Sequence, residues 1–492
     1  MYDLSFPADQ YEMKQKLVKT RKGDVCVAYR QYKNIVYAAD PVLEEFQSMH
    51  VEVPIRINGK DVETENAPIL IAVRIGAYMA TRCGGERLGF MMPKPPEDEA
   101  EKNGISQGEG SVKKKKMGPP APLKEDDRIP DLSLAAGWVL VRPGNRGRGL
   151  KAEDGSWLGK APAAIVDLKA VVRYLRHNRG IVPGDTEHII SHGLSAGGAM
   201  SALLGASGNS PLYEPYLKEI GAAEERDDIF ASADFCPMCD LEHADIAYEW
   251  MYGSFENQRD GLKVDQVISG RMAKAFADYQ SGLGFTRSDT GEPLTAENYK
   301  EYLEKRYLIP SANEYLHKLE PKQREDYLLE HPWIRWDGNS AFFTVDELHE
   351  DTGRLKDLPA FDSPRKSGEC EIFGTPSQYG ENFTSFYRKA CGESGACVSE
   401  LVKHQTQLMN PMTFICDDNP GCAEHWWIRL GTRDNGMSFS IAGNLAAGLE
   451  KLGKDVNLKF YWDAGHYMDL DPEDFVEWIN RIILEDNRGR DT

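Results

Sequence analysis

The chain has 492 residues, so we expect two or three units of about 150 residues or one large fold with an insertion. Hydrophobic residues make up 41% and charged residues 28%, values typical of a soluble globular protein. No apolar run approaches the roughly 18 residues of a membrane span. The net charge of −20 opposes contact with polyphosphate. We therefore expect no nucleic-acid or membrane partner, and a neutral or aromatic small molecule as the ligand.

Nine cysteines form an odd number spread through a large chain, which predicts free thiols rather than a disulfide framework. Cys236-Pro-Met-Cys239 has redox or zinc spacing, but no second Cys-x-x-Cys or His-x-His run accompanies it, and we interpret the pair as structural. No metal or other cofactor is expected. The first residues lack the basic and apolar segments of a secretory signal, which predicts a cytoplasmic protein, or a secreted one whose signal has been removed.

The first part of the chain contains strand patterns and one unusual segment. Residues 25–54 alternate apolar and polar positions, which predicts antiparallel strands, and residues 67–77 form the apolar run of a buried strand. Residues 93–132 combine prolines, an acidic patch, a Gly-Ser spacer and a lysine run, a composition that predicts a flexible surface loop.

Strands and helices alternate in the following residues. A strand is predicted at 136–142, a helix at 160–178, a strand at 187–191 and another strand at 228–236, with a helix of small residues after Ser195. This alternation predicts an α/β fold with a parallel sheet.

The sequence Gly193-x-Ser195-x-Gly197 at the end of a predicted strand has the form of a nucleophile elbow. Its glycines allow a bend so sharp that the serine hydroxyl projects alone above the sheet. Ser195 is therefore the predicted nucleophile.

Residues 241–405 change to amphipathic helical patterns without strand alternation, and we interpret them as a lid inserted between two parts of the core, 1–240 and 406–492. The sheet then resumes. A strand is predicted at 426–430, a helix at 438–452, a strand at 456–462 and a last helix from Pro472.

A catalytic acid and base follow from the order of the elements. In this architecture the order is Ser, acid, His, each at the carboxyl end of a strand, which selects Asp434 and His466. His466 would accept the serine proton, and Asp434 would orient the imidazole. Asp417-Asp418 is the rival acid pair.

Two neighbours of the elbow have different expected roles. His192 lies on the strand itself, so we expect it to pack or to bond the backbone. The backbone N–H of Ala196, with one from Gly76 or Ala77, would form the oxyanion hole that stabilises negative charge on the carbonyl oxygen.

Several segments together carry a family resemblance. They are residues 194–210, 241–250, 358–362 and 425–431, and they resemble the corresponding segments of bacterial tannases, the tannin acylhydrolases, over most of the chain. The resemblance implies an α/β-hydrolase fold with a large, mainly helical lid, which cleaves galloyl esters through an acyl-enzyme on Ser195.

The resemblance also implies how the gallate ring is held. Lys356 and Glu369 stand where that family has a lysine and a glutamate that bind ring hydroxyls, and Gly436 stands where it has a third, aspartate ligand. Without the resemblance, Lys356 and Glu369 would be interpreted as solvated surface charges. The missing carboxylate leaves two readings: another carboxylate replaces it, or the acid moiety differs.

Two other functions stay open. One is a feruloyl-type or broader serine esterase or peptidase. The other is a noncatalytic binding protein, against which the complete Ser, Asp, His order argues.

Overall fold

The computed structural model describes residues 1–85, 128–364, 366–466 and 470–490. Within these ranges the chain builds a mixed ten-stranded sheet with helices on both faces, as the alternation of strands and helices predicts. The strands of the main sheet are β1 (Glu12–Thr20), β2 (Gly23–Val36), β3 (Ser48–Ile57), β4 (Lys60–Asp61), β5 (Pro68–Val73), β6 (Val139–Pro143), β7 (Asp185–Leu194), β8 (Ala231–Phe235), β11 (His425–Gly431) and β12 (Asp455–Tyr461). The strand order is β1-β2-β3-β6-β5-β7-β8-β11-β12, with β4 paired to β3.

The sheet has an antiparallel and a parallel half. Strands β1, β2 and β3 pair antiparallel, and β3 pairs antiparallel with β6. Strands β6, β5, β7, β8, β11 and β12 run parallel to one another. The carboxyl ends of β7, β8, β11 and β12 therefore meet at one edge of the sheet, which is where the site lies.

The helices cover both faces because the central strands are apolar on both sides. One face packs against α2, α3 and α14 in a large buried cluster, and the other packs against α1 and α15 around Trp138, Trp427 and Phe475. The helices are α1 (Ile129–Ala135), α2 (Ala163–His177), α3 (Ala196–Ala206), α4 (Glu214–Glu219), α5 (Leu241–Tyr252), α6 (Gln266–Gly282), α7 (Ala296–Leu303), α8 (Ile309–Lys318), α9 (Pro321–Glu330), α10 (Val345–Thr352), α11 (Phe386–Ala390), α12 (Glu400–Leu408), α13 (Pro411–Cys416), α14 (Phe439–Lys451) and α15 (Pro472–Arg490).

The chain between β8 and β11 is mainly helical, as predicted. It also contains a two-stranded ribbon that the sequence did not predict, β9 (Arg335–Trp336) paired with β10 (Ala341–Phe342). Two residues per strand are too few for an alternation to be recognised in the sequence.

The predicted loop at 93–132 is only partly within the described residues. Residues 93–127 of this loop lie outside the described ranges. The predicted end of the loop at residue 132 is wrong, because α1 begins at Ile129. Pro130 falls in the first turn of this helix, where its missing N–H costs nothing, and Ile129 and Leu132 are buried. The burial of these apolar side chains makes the segment helical.

Two absences complete the description of the fold. No disulfide joins the cysteines of the described residues. In the same part of the chain, no helix has the length and apolar character needed to span a bilayer.

Candidate active site

The turn between β7 and α3 holds Ser195 in a sharply bent conformation. Its φ of 60° and ψ of −121° are strained for a residue with a side chain, and its N–H donates to the Phe235 carbonyl at 2.8 Å. The flanking glycines are required: a Cβ on Gly193 would lie 2.3 Å from the Gly197 carbonyl oxygen, and one on Gly197 would lie 2.7 Å from that of Val73. This is the local geometry of a nucleophile elbow.

Asp434 and His466 lie together beyond the ends of β11 and β12. The Asp434 Oδ2 to His466 Nδ1 distance is 2.7 Å, the Asp434 side chain is 3% exposed and that of His466 is 38% exposed. Burial alone would raise the pKa of Asp434, but the His466 charge and hydrogen bond keep it below its ordinary value. Burial alone would lower the pKa of His466, but the Asp434 carboxylate outweighs it and raises that pKa well above its ordinary value.

The Ser195 hydroxyl points at a sulfur atom in this structure. Its Oγ lies 3.6 Å from Met238 Sδ, and the Met238 N–H donates to the Ser195 carbonyl at 3.3 Å. No hydrogen bond joins Ser195 and His466 among the described side chains. Catalytic hydrogen bonds are often long or misaligned without substrate.

A thiol lies against the acid–base pair. Cys236 is buried at the carboxyl end of β8, and its Sγ lies within 4.8 Å of an Asp434 carboxylate oxygen and a His466 ring nitrogen. Burial raises the pKa of this thiol, and the Asp434 charge adds to the rise. The Cys-x-x-Cys motif that we interpreted as structural therefore contributes one side chain to the site.

The predicted oxyanion donors lie on the two segments that meet at the elbow. Ala196 opens α3 directly after Ser195. The turn with Gly76 and Ala77 follows β5, and a Cβ on Gly197 would lie 2.9 Å from the Ile75 carbonyl oxygen, so this turn packs against the elbow.

Lys356 and Glu369 lie near each other inside the helical insertion. Their Nζ to Oε1 distance is 3.9 Å, and their side chains are 21% and 17% exposed, so they are not the solvated surface charges that composition alone predicts. The Lys356 ammonium lies 3.6 Å from the centroid of the Phe361 ring. Burial lowers the pKa of Lys356, and the charge of Glu369 opposes the shift.

Tyr248 connects the Lys356 segment to the region of Asp434. Its hydroxyl accepts from the N–H groups of Leu355 at 2.9 Å and Lys356 at 3.1 Å, and donates to the Asn435 carbonyl at 2.9 Å. The Asn435 amide donates to the Gly353 carbonyl at 2.9 Å. The residue next to Asp434 and the segment carrying Lys356 are thus bonded to each other.

A buried ion pair anchors the same segment from behind. Arg354 bonds Glu249 at 2.8 and 3.1 Å, both side chains are fully buried, and the guanidinium also donates to the carbonyl of Lys356 at 2.9 Å. Breaking a buried pair leaves an uncompensated charge, so this contact holds the backbone of Lys356 firmly.

The remaining predicted residues lie in different surroundings. Gly436 donates its N–H to Asp434 Oδ1 at 3.2 Å, and a Cβ there would meet only that oxygen. His192 is 1% exposed and packs its ring 5.3 Å from that of Phe235. The rival acids Asp417 and Asp418 are exposed after helix α13, while the His466 imidazole bonds Asp434.

Sequence reasoning missed three residues that contact the site from other segments. Cys236, Met238 and Tyr248 contact the site across separations such as 187 residues, for which no local spacing signal exists. Only the position of Cys236 and Met238 at the carboxyl end of a predicted strand could have indicated them.

Comparison with known proteins supports one interpretation of this geometry. The BD-FAE family model, that of an esterase family, matches residues 156–278, which include the elbow. The structure of Fusobacterium nucleatum tannase is 34% identical over 98% of this chain and 100% of its own, with a TM-score of 0.78. The native structure of tannin acyl hydrolase from Lactobacillus plantarum is 30% identical over 97% of this chain and 98% of its own, with a TM-score of 0.79. A tannin acyl hydrolase in complex with ethyl gallate gives the same values. No protein in the curated set matches the chain.

The fold and these comparisons define a carboxylic ester hydrolase, with an α/β-hydrolase fold and a large, mainly helical insertion. The identity holds over nearly the full length of both chains. The chain belongs to the bacterial tannase family.

Proposed function

We propose that this chain hydrolyses galloyl esters through an acyl-enzyme on Ser195, releasing gallate and an alcohol. The observation that carries the proposal is the 2.7 Å contact between Asp434 and His466 at the sheet edge where the strained serine turn ends β7. The ethyl gallate complex of a similar tannin acyl hydrolase supports the choice of acid.

The reaction begins when the Ser195 hydroxyl leaves Met238 Sδ and turns to His466. The neutral imidazole accepts the proton as Oγ attacks the ester carbonyl, and Asp434 stabilises the imidazolium that forms. His466 then returns the proton to the leaving alcohol. Water attacks the acyl-enzyme with His466 as base, and gallate leaves.

The N–H of Ala196 and one N–H of the Gly76-Ala77 turn stabilise the negative carbonyl oxygen. These donors are fixed by the backbone, so they need no reorganisation as charge develops. Removal of one such donor typically costs about 10²- to 10³-fold in rate.

The insertion, residues 241–405, acts as a lid and holds the ring hydroxyls of the substrate. Lys356 donates to one hydroxyl and Glu369 accepts from another. Support comes from the partial burial of both side chains and from the Tyr248 bonds that connect the Lys356 backbone to Asn435, the residue next to Asp434. An apolar pocket near these residues is lined in part by Met238, whose sulfur contacts the Ser195 hydroxyl, and by Phe361, whose ring contacts the Lys356 ammonium.

The space at Gly436 favours a second candidate substrate. A Cβ there would meet only an oxygen of the Asp434 side chain, and Gly436 has no carboxylate of its own to bind a third ring hydroxyl. Esters of acids that carry a methoxy group at this position, such as ferulate, are therefore the alternative.

Rates on matched methyl esters test the proposal. We expect kcat/KM for methyl gallate to exceed that for methyl ferulate, and a peptide anilide to be inert. A preference for ferulate would replace the gallate assignment with the alternative, and cleavage of the anilide would indicate a broader hydrolase.

Covalent labelling tests the nucleophile separately. A fluorophosphonate should label the wild-type chain once and leave Ser195→Ala unlabelled. An unlabelled wild-type protein would favour a noncatalytic binding protein.

A further inference from the structure

We propose that Cys236, Asp434 and His466 form a binding site for one zinc-like divalent cation, and that its binding inhibits the enzyme. The site needs no new residue and no added segment. Its three donors are already together at the carboxyl edge of the sheet.

The distances are close to those of a metal site. The Cys236 Sγ, an Asp434 carboxylate oxygen and a His466 ring nitrogen all lie within 4.8 Å of one another. Ligands of a tetrahedral zinc ion, with bonds of about 2.0–2.3 Å, are about 3.3–3.6 Å apart. A pair of donors at the 4.8 Å limit must close by about 1.2–1.5 Å, and the 2.7 Å contact between Asp434 Oδ2 and His466 Nδ1 must open by about 0.6–0.9 Å, to reach this geometry.

The donor set selects the metal. Thiolate, imidazole and carboxylate are the three ligand types that Zn²⁺ takes in proteins, whereas Mg²⁺ and Ca²⁺ prefer oxygen alone. Three protein ligands leave a fourth position for water. His466, with a side chain 38% exposed, gives an ion in solution access to the group.

The three ligands follow three neighbouring strands, and backbone hydrogen bonds hold the first two of them. Cys236 follows β8 with a φ of 45°, and its N–H donates to the Arg429 carbonyl of β11 at 2.7 Å. Asp434 N–H donates to the Gly431 carbonyl at 3.1 Å. Because these bonds fix the turns of Cys236 and Asp434, the ion does not have to order either turn in order to bind.

Binding has a defined chemical balance. Cys236 loses its thiol proton to solvent as the sulfur–metal bond forms, the coordinating ring nitrogen of His466 gives up its proton and donates a lone pair, and Asp434 gives an oxygen lone pair, with no change of oxidation state. The inhibitory part rests on the proposed function, because a His466–Asp434 pair committed to the metal cannot accept the Ser195 proton.

Cobalt absorption tests binding without any ester. Co²⁺ added to metal-free Ser195→Ala should bind one ion per chain and give the near-ultraviolet band of a thiolate–cobalt bond. Adding Cys236→Ala should abolish the band, and Cys236→Ser, which keeps the side-chain volume, should do the same. Cys239→Ala, which removes a buried thiol three residues away, should keep it.

Inhibition is measured on the wild-type enzyme with Zn²⁺. Turnover of methyl gallate should fall at micromolar Zn²⁺, recover with chelator and be unaffected by Mg²⁺. Cys236→Ala should weaken Zn²⁺ affinity by about 100-fold or more, since loss of an outer-shell partner alone costs about 10- to 100-fold.

Each outcome decides a separate claim. An absent cobalt band, or a band that persists in both Cys236 variants, overturns the site. Zinc that binds without slowing turnover overturns the inhibitory role. Metal-free wild-type enzyme that hydrolyses no ester refutes the proposed function, and the cobalt result still decides the metal site.

Discussion

Replacing Tyr248 by phenylalanine should separate galloyl specificity from the chemical step. The hydroxyl makes three hydrogen bonds, to the N–H groups of Leu355 and Lys356 and to the Asn435 carbonyl. At about 0.5–1.5 kcal/mol each, the loss of all three should cost about 1.5–4.5 kcal/mol of stability. Burial raises the pKa of Tyr248 to about 12, so the hydroxyl is present as donor throughout the working pH range.

The effect on activity follows from the position of Lys356. Without Tyr248 its backbone loses one of its two described anchors, and the ammonium no longer meets the ring hydroxyl reliably. A hydrogen bond to a charged group contributes about 1.5–3 kcal/mol, so kcat/KM for methyl gallate should fall about 10- to 150-fold. An ester without ring hydroxyls, such as p-nitrophenyl acetate, should lose less than about 3-fold.

Tyr252 provides the matched control for this experiment. It is equally buried one turn further along α5, and its hydroxyl has no hydrogen-bond partner in the described part of the structure. Tyr252→Phe should therefore leave stability and both rates nearly unchanged. Equal losses on the two esters with Tyr248→Phe, or no loss on methyl gallate, would refute the assigned role of the Lys356 segment.

Two further predictions concern the acid–base pair and the elbow. Because Asp434 raises the pKa of His466 and only neutral imidazole accepts a proton, kcat/KM should rise with pH through a midpoint above 6.5. Asp434→Asn should lower that midpoint and should lower kcat by about 10⁴-fold. An unchanged midpoint in the pH–rate profile of this variant would contradict the electrostatic account. In Gly197→Ala the new methyl group would lie 2.7 Å from the Val73 carbonyl oxygen, so fluorophosphonate labelling should slow about 100-fold. Gly270→Ala, in a helix with open space around it, should label normally and gain up to about 1 kcal/mol of stability; normal labelling of Gly197→Ala would refute the close packing of the elbow.

The parts of the fold that sequence predicted are those with a local signal. Strand β7, the elbow and helix α3 follow from an apolar run, two glycines and a series of small residues, all within a few turns of chain. Likewise, β11 and β12 each precede a glycine turn that carries a polar residue, which indicated Asp434 and His466.

The parts that sequence could not predict depend on contacts between distant segments. Nothing near Tyr248 or Arg354 in the chain indicates that they bond the Lys356 segment, since these partners are set by how the insertion packs on the core. The Cys236 pair was interpreted as structural for the same reason: its spacing carries no information about a His466 that lies 230 residues further on.

The placement of the insertion has a consequence for how specificity can change. It occupies the crossover that joins two adjacent parallel strands, from the end of β8 to the start of β11. The entropy of closing a connection grows only with the logarithm of its length, about 0.6 kcal/mol per doubling. A segment at this point can lengthen, shrink or be rebuilt with little effect on the sheet. Residues of the insertion can therefore change during evolution independently of the residues at the strand ends.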